Sequence, residues 1–427
     1  MRIPSATYRL QFHKDFRFAD ALALIGYLHD LGISDIYASP IFTARPGSTH
    51  GYDVVDHSQI DAVLGGEEGF AALSAAAKTR GMGVILDIVP NHMGIGEPGN
   101  NWWMDVLENG PSSSYASYFD IDWHPANPHL ENKVLLPLLE DQYGIVLEDG
   151  KLRLALEEGA FILRYYEAKL PIAPRTYDAI LTHKLDCLID TLGKEHLQVL
   201  ELQSILTAIR YLPPITESDP AKLEERRREK EVIKRRIAAL YQGSAEVKET
   251  IDLAVSDING RVGDSRSFDM LDRLVEAQPY RLAFWRVAGE EVNYRRFFDI
   301  NELAAIRTEA PEVFQATHQL IFRLVAEGLV TGLRVDHPDG LRNPTAYFRE
   351  LQQNGERPLY VVAEKILAKG ESLPQDWAVS GTWRCGWPPR WGPMSWRSCA
   401  GRERRISPAG WGRTRSSIRS GRRSAAP

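Results

Sequence analysis

The chain has 427 residues, 44% hydrophobic and 25% charged, with a formal net charge of −6. That composition suits a globular protein with room for more than one domain and excludes a disordered or collagenous chain. Three cysteines are too few for a disulfide framework, and no apolar run approaches the roughly 18 residues of a membrane span.

The opening MRIPSATYRLQF lacks the apolar stretch of a secretory signal, so a cytoplasmic location is expected. The charge is uneven. Residues 382–427 hold eleven Arg and one Glu, a balance of +10, which leaves −16 on residues 1–381. An acidic body argues against a nucleic-acid partner, whose phosphates demand a basic face. It is compatible with a neutral substrate such as a sugar.

Along residues 1–92, strands and helices alternate. ATYRLQF (6–12) predicts a strand, ALALIGYLHDLG (21–32) a helix ended by Gly32, and DIYASPIF (35–42) a second strand. EEGFAALSAAAKTRGM (67–82) predicts a helix, and the continuous apolar run GVILDIVP (83–90) a strand buried on both faces. This rhythm points to a parallel sheet built from βαβ units.

The rhythm breaks over 93–310. YGIVLEDGKLRLAL (143–156) has period-2 runs with a hairpin signal at its central EDG. Residues 181–250 predict helices. In EERRREKEVIKRRIAALY (224–241) the residues Ile233, Ile237 and Leu240 share one face, and the dense charges read as a solvated face. Parallel-sheet rhythm returns with a helix at 311–328, a strand LVTGLRVD (329–336), a helix at 343–355 and a strand PLYVVAE (358–364).

Four short segments carry the candidate chemistry. HGYDVVD holds His50, Tyr52 and Asp53; DIVPNH holds Asp87, Asn91 and His92; GLRVDHPDG holds Arg334, Asp336, His337 and Asp339; VVAEKIL holds Glu364. Three of them end predicted strands, and the first lies on the loop after the second strand. A parallel barrel gathers its active site at that face. Each residue alone has a plainer reading: a carboxylate past a strand can cap a helix, and Arg334 beside Asp336 can be a structural ion pair. Four segments converging on one face favour a joint role.

Two carboxyl groups about 5 Å apart would serve retaining glycoside chemistry, and neighbouring strands give that spacing. Asp336 must be ionised, and Arg334, two residues back on the same face, is expected to hold its pKa down. Glu364 must be protonated, which burial and the Asp336 charge favour.

These segments resemble the conserved regions of the α-amylase superfamily. By that resemblance Asp336 is the nucleophile, Glu364 the acid/base and Arg334 the residue that orients the nucleophile. Tyr52, Asp53, His92 and His337 lie around the sugar. IYASPIFTARPGSTHGYDVVD, GLRVDHPDGL and residues 267–307 are most similar to the malto-oligosyltrehalose synthase family. Where α-amylases show Lys-His past the nucleophile, this chain has Asp339 and Gly340.

The resemblance implies a TIM (β/α)8 barrel with a long mixed insertion after strand three, incomplete here at about strands 1–5. The parts expected are 1–92 (strands one to three), 93–310 (insertion), 311–381 (strands four and five) and 382–427. It implies intramolecular transglucosylation of malto-oligosaccharides, with the reducing-end α-1,4 linkage becoming α,α-1,1, and no metal or other cofactor. Residues 267–307 are expected to help exclude water.

The resemblance stops at Gly381. The superfamily's third catalytic carboxylate lies in a His-Asp region, and no histidine follows His337. Residues 383–427 contain no Leu, Val, Phe, Tyr or Lys, which suits out-of-frame translation of a GC-rich gene; a natural basic arm is the other reading. The chain itself is therefore expected to be inactive. Two alternatives stand beside the trehalose-forming reading: another α-glucan hydrolase or transglycosylase, and an inactive fragment that binds α-glucan weakly.

Overall fold

The computed structural model describes residues 1–96, 99–355, 358–385 and 397–398, with backbone alone in 382–385 and 397–398. Strand β1 (Thr7–Leu10) leads into α1 (Phe18–Asp30). Phe18, Ala21, Ile25 and Leu28 recur at helical spacing and form its buried stripe. Gly32 ends the helix as expected. Its φ of +86° lets its own amide reach His29 O at 2.9 Å and the Ile33 amide reach Leu28 O at 3.0 Å.

Next come β2 (Asp35–Ala38), a hairpin of β3 (Phe42–Ala44) and β4 (Val54–Ile60), α2 (Gly66–Thr79) and β5 (Gly83–Ile88). All six residues of β5 are buried, because strands flank it on both sides and the barrel core and helices cover its faces.

From β6 (His92–Gly94) the chain leaves the main sheet. It passes through α3 (Asn101–Asn109), β7 (Val134–Leu139), α4 (Tyr143–Glu148) and the antiparallel trio β8 (Leu152–Glu157), β9 (Ala160–Tyr165) and β10 (Ala168–Pro171). Helices α5 (Tyr177–Thr182), α6 (Leu185–Leu192), α7 (Leu197–Tyr211), α8 (Pro220–Gly243), α9 (Ala245–Ile258) and α10 (Asp269–Glu276) follow. Strand β11 (Tyr280–Phe284) pairs in parallel with β7. After the short α11 (Ala288–Glu291), β12 (Leu303–Ala305) returns antiparallel to β6. This stretch has its own apolar core, built on residues such as Trp103, Leu136, Phe161, Tyr177, Ile205 and Tyr280.

The main sheet resumes with α12 (Pro311–Ala326), β13 (Gly332–Val335), α13 (Pro344–Gln353) and β14 (Tyr360–Ile366). Backbone continues to β15 (Gly381–Cys385) and β16 (Arg397–Ser398). The sheet order is β1-β2-β5-β13-β14-β15-β16, parallel through β15, with β16 antiparallel. Strands in this order, with helices between them, make a TIM-barrel-type α/β fold.

Three expectations are corrected. The parallel run does not end at five strands, because Gly381–Cys385 pairs with β14 as a sixth. Most of 382–427, where the tail was placed, lies outside the described residues.

The EDG at 148–150 is not a hairpin turn. Tyr143, Val146 and Leu147 follow the i, i+3, i+4 spacing of a helix, and α4 forms there. The true hairpin turns at Glu158 and Gly159, both at positive φ, between Glu157 and Ala160.

The charged face of α8 is only partly solvated. Lys230 is buried between Asp105 (2.9 Å) and Glu108 (2.6 Å), and Arg226 is buried near Asn109. These residues continue the stripe of Ile233 and Ile237 and fasten α8 to α3.

The hairpin offers a test. A Cβ on Gly159 would lie 2.0 Å from the Lys234 carbonyl oxygen of α8, and φ there is +83°. Gly159→Ala is expected to destabilise the chain by about 1–3 kcal/mol, read as a lower midpoint in urea denaturation. An unchanged midpoint would show that the hairpin does not pack on α8 in solution.

Candidate active site

The site is assembled by register. Arg334 on β13 stands opposite Asp87 on β5 and Val362 on β14. Two residues further, beyond the paired Val335 and Ala363, the chain reaches Asp336 and Glu364. Side chains two apart on a strand share a face. Arg334 and Asp336 therefore point the same way, with Asp87 and Glu364 on either side.

One guanidinium joins three carboxyl groups. Arg334 Nη1 donates to Asp87 Oδ1 at 2.8 Å and to Asp336 Oδ1 at 2.7 Å, and Nη2 lies 3.0 Å from Glu364 Oε2. Bridged in this way, the bonded oxygens of Asp336 and Glu364 are at most about 8 Å apart, a bound that includes the roughly 5–5.5 Å of retaining pairs. The His337 amide also donates to Glu364 Oε2, at 3.1 Å. Asp87, fully buried, accepts further bonds from Tyr37 Oη at 2.7 Å and Tyr52 Oη at 2.6 Å.

Arg334 pulls the Asp336 pKa down as expected, but the net shift is upward because burial outweighs that pull. Burial pushes the Asp336 carboxyl up to about 8; Arg334 opposes this, while the charges of Asp87 and Glu364 add to it. Burial likewise raises Asp87 against the pull of Arg334 and the two tyrosines. Burial is the largest cause, and one cation divided among three carboxyl groups offsets it only in part. Full ionisation would leave two negative charges uncompensated in a buried place, so the cluster retains a proton.

The other expected residues fall at different distances from this centre. The Arg334 guanidinium lies 6.0 Å from the centre of the Tyr52 ring. His92 is fully buried, bonds the Tyr52 carbonyl through Nε2 at 3.1 Å and lies 4.1 Å from the Phe297 ring. Burial pushes His92 down to about 3, so it is neutral. The His337 ring lies 5.0 Å from Phe297 and 5.1 Å from Phe298, and burial lowers its pKa. Asp53 is not part of the carboxyl cluster: it is held by Ser48, with Arg45 3.6 Å away.

Sequence reasoning missed Tyr37, Arg295 and Phe297. Tyr37 was readable only as strand core. The other two come from the stretch outside the main sheet, 204 positions from Asn91 in the case of Arg295, and no local pattern reports such proximity. A separate cleft of about 420 Å³ is lined by Trp103, Leu136, Trp285 and Glu302 among others, and not by Asp87, Asp336 or Glu364.

Comparison with known proteins follows the same lines. Residues 23–167 match the family model described as the alpha amylase catalytic domain. A putative maltooligosyl trehalose synthase of Mycobacterium tuberculosis is 35% identical over 385 residues, covering 88% of this chain and 36% of the relative. The structure of maltooligosyltrehalose synthase from Arthrobacter ramosus superposes with a TM-score of 0.61 at 36% identity, over 89% of this chain and 37% of that one. An intracellular maltogenic amylase of Bacillus subtilis is 42% identical over 101 residues, 24% of this chain and 16% of that relative. The chain thus spans little more than a third of the curated relatives that it matches along most of its length.

Proposed function

The chain is related to the maltooligosyl trehalose synthases over 88% of its length, and on that premise we propose that its carboxyl cluster serves an intramolecular transglucosylation of malto-oligosaccharides. The observation that carries this reading is the single guanidinium of Arg334 joining Asp87, Asp336 and Glu364 across three adjacent strand ends.

Asp336 Oδ attacks the anomeric carbon of the penultimate glucose unit. The last α-1,4 bond breaks, and Glu364 gives its proton to the departing O4 of the terminal glucose. The released glucose turns within the site and attacks the same carbon through its own anomeric hydroxyl. Glu364, now a carboxylate, accepts the proton of that anomeric hydroxyl, and Asp336 leaves as carboxylate. Two inversions retain configuration, and the chain ends in an α,α-1,1 linkage.

The step requires the cluster's proton on Glu364 and Asp336 ionised. Both groups sit on one guanidinium, so moving the proton between them changes no net charge. A glycosidic oxygen beside Glu364 would favour that form. Tyr52, Asp53, His92 and His337 surround the sugar in this reading. Phe297, packed on both histidine rings, supports exclusion of water, which otherwise captures the glycosyl-enzyme.

In this reading residues 1–92 and 311–381 supply barrel, and 93–310 an insertion over its catalytic face. Activity is assigned to a protein of the relatives' full length, and the chain alone is expected to be inactive. Such a protein should consume the reducing end of maltopentaose without releasing glucose, measured by reducing-sugar assay and product chromatography. Release of reducing sugars alone would make it a hydrolase, the reading that the maltogenic amylase match would then favour.

A further inference from the structure

We propose that Arg295 is a positioning residue: from the inserted region it pins the turn after β13 and so holds the His337 amide on the Glu364 carboxylate. The inference rests on the reading of Glu364 as acid/base. Arg295 donates from Nε to Asp120 Oδ2 at 2.8 Å and from Nη1 to both Asn91 Oδ1 (3.0 Å) and the Gly340 carbonyl (2.8 Å). Its own backbone is held on both sides, by its amide on Asp120 O (3.0 Å) and its carbonyl under the Ala305 amide (2.8 Å). A single planar fork therefore ties the insertion, the loop after β5 and the turn after β13 to one another.

That turn needs holding. His337 lies at φ +43°, a left-handed conformation that a residue with a Cβ adopts only when its surroundings impose it. The turn closes through Gly340 N to His337 O at 3.1 Å. There is no slack at Gly340, where a Cβ would meet Asn91 Oδ1 at 2.5 Å and His337 Cδ2 at 2.6 Å. Lys365, buried on β14, bonds Asp339 of the same turn at 2.9 Å and Glu371 at 2.7 Å. Arg295 and Lys365 thus each hold the turn, one at Gly340 and the other at Asp339, and the turn's His337 amide donates to Glu364. A carboxyl group in this role must be held in place, because misplacement by about 1 Å costs about 10²-fold in rate.

The test reads the amide directly. The chain has 11 histidines, so 15N-histidine labelling gives few enough signals for the one lost in His337→Gln to be identified. Glu364→Gln defines the shift that follows when the carboxylate acceptor is changed. Arg295→Met is expected to move the His337 amide toward that position, Arg295→Lys to move it part way, and Asp120→Asn, which loosens only the outer bond, to leave it in place.

A folded Arg295→Met chain with an unmoved His337 amide overturns the proposal. If that variant does not fold, an unmoved amide in Arg295→Lys does so. In the full-length enzyme Arg295→Met should lower kcat about 10²-fold with KM little changed, and Arg295→Lys should recover part of it. A purely stabilising residue would lower the melting temperature without this split. An unsubstituted enzyme that leaves maltopentaose untouched counts against the functional reading, while the His337 shift still decides the role of Arg295.

Discussion

Asp336→Ala is expected to lower conversion of maltopentaose by a full-length enzyme about 10⁶-fold, the scale of losing a covalent nucleophile. Asp336→Asn, which keeps the shape and removes the charge, is expected to raise the thermal stability of the chain itself, more at pH 8 than at pH 5. The sign follows from linkage. The folded carboxyl is pushed up to about 8, whereas an unfolded Asp titrates near 3.9. Between those values the folded state binds a proton that the unfolded state lacks, so stability falls as pH rises, by at most about 1.4 kcal/mol per pH unit. Asn carries no such dependence. Melting curves of both proteins from pH 5 to pH 8 decide the matter, and parallel pH trends would show that Asp336 is not buried among like charges.

Arg334→Met should have the largest effect on stability. It removes the cation shared by Asp87, Asp336 and Glu364 and leaves the carboxyl groups in place. Stranding a buried charge costs about 3–5 kcal/mol. The loss should be greatest at pH 8. Without Arg334 the folded pKa values of Asp87 and Asp336 rise further above their unfolded ones, so the variant's stability is retained at low pH and lost as pH rises. Urea denaturation at pH 5 and pH 8 measures it. A penalty equal at both would mean that Arg334 acts by packing and not by neutralising the carboxyl groups.

Among the described residues, five of the six parallel strands of the main sheet were legible from turn signals and strand-like runs, most plainly the apolar GVILDIVP of β5, while Gly381–Cys385 was missed. The reading failed at α4, where an i, i+3, i+4 face also fits period 2 over a short stretch. It failed at α8 because the charges of Arg226 and Lys230 reveal nothing about where Asp105 and Glu108 lie. The roles of Arg334, Asp336 and Glu364 were proposed from their places at strand ends, and they share one ion-pair network. The net shift of Asp336 was misjudged because burial outweighs the pull of Arg334, and because Asp87 draws on the same cation through a register between strands 247 positions apart in sequence.

The sequence by itself determined the alternation of strand and helix, the face on which the carboxyl groups stand and the resemblance that names their chemistry, because hydrophobic period and strand-end position are local properties. Only the tertiary structure decided how one guanidinium is divided among three carboxyl groups, that Phe297 covers His92 and His337, and that Arg295 reaches the turn at Gly340. Those depend on distances between segments far apart in the chain, and charge balance in a buried cluster is set by such distances, not by any residue's own neighbours in sequence.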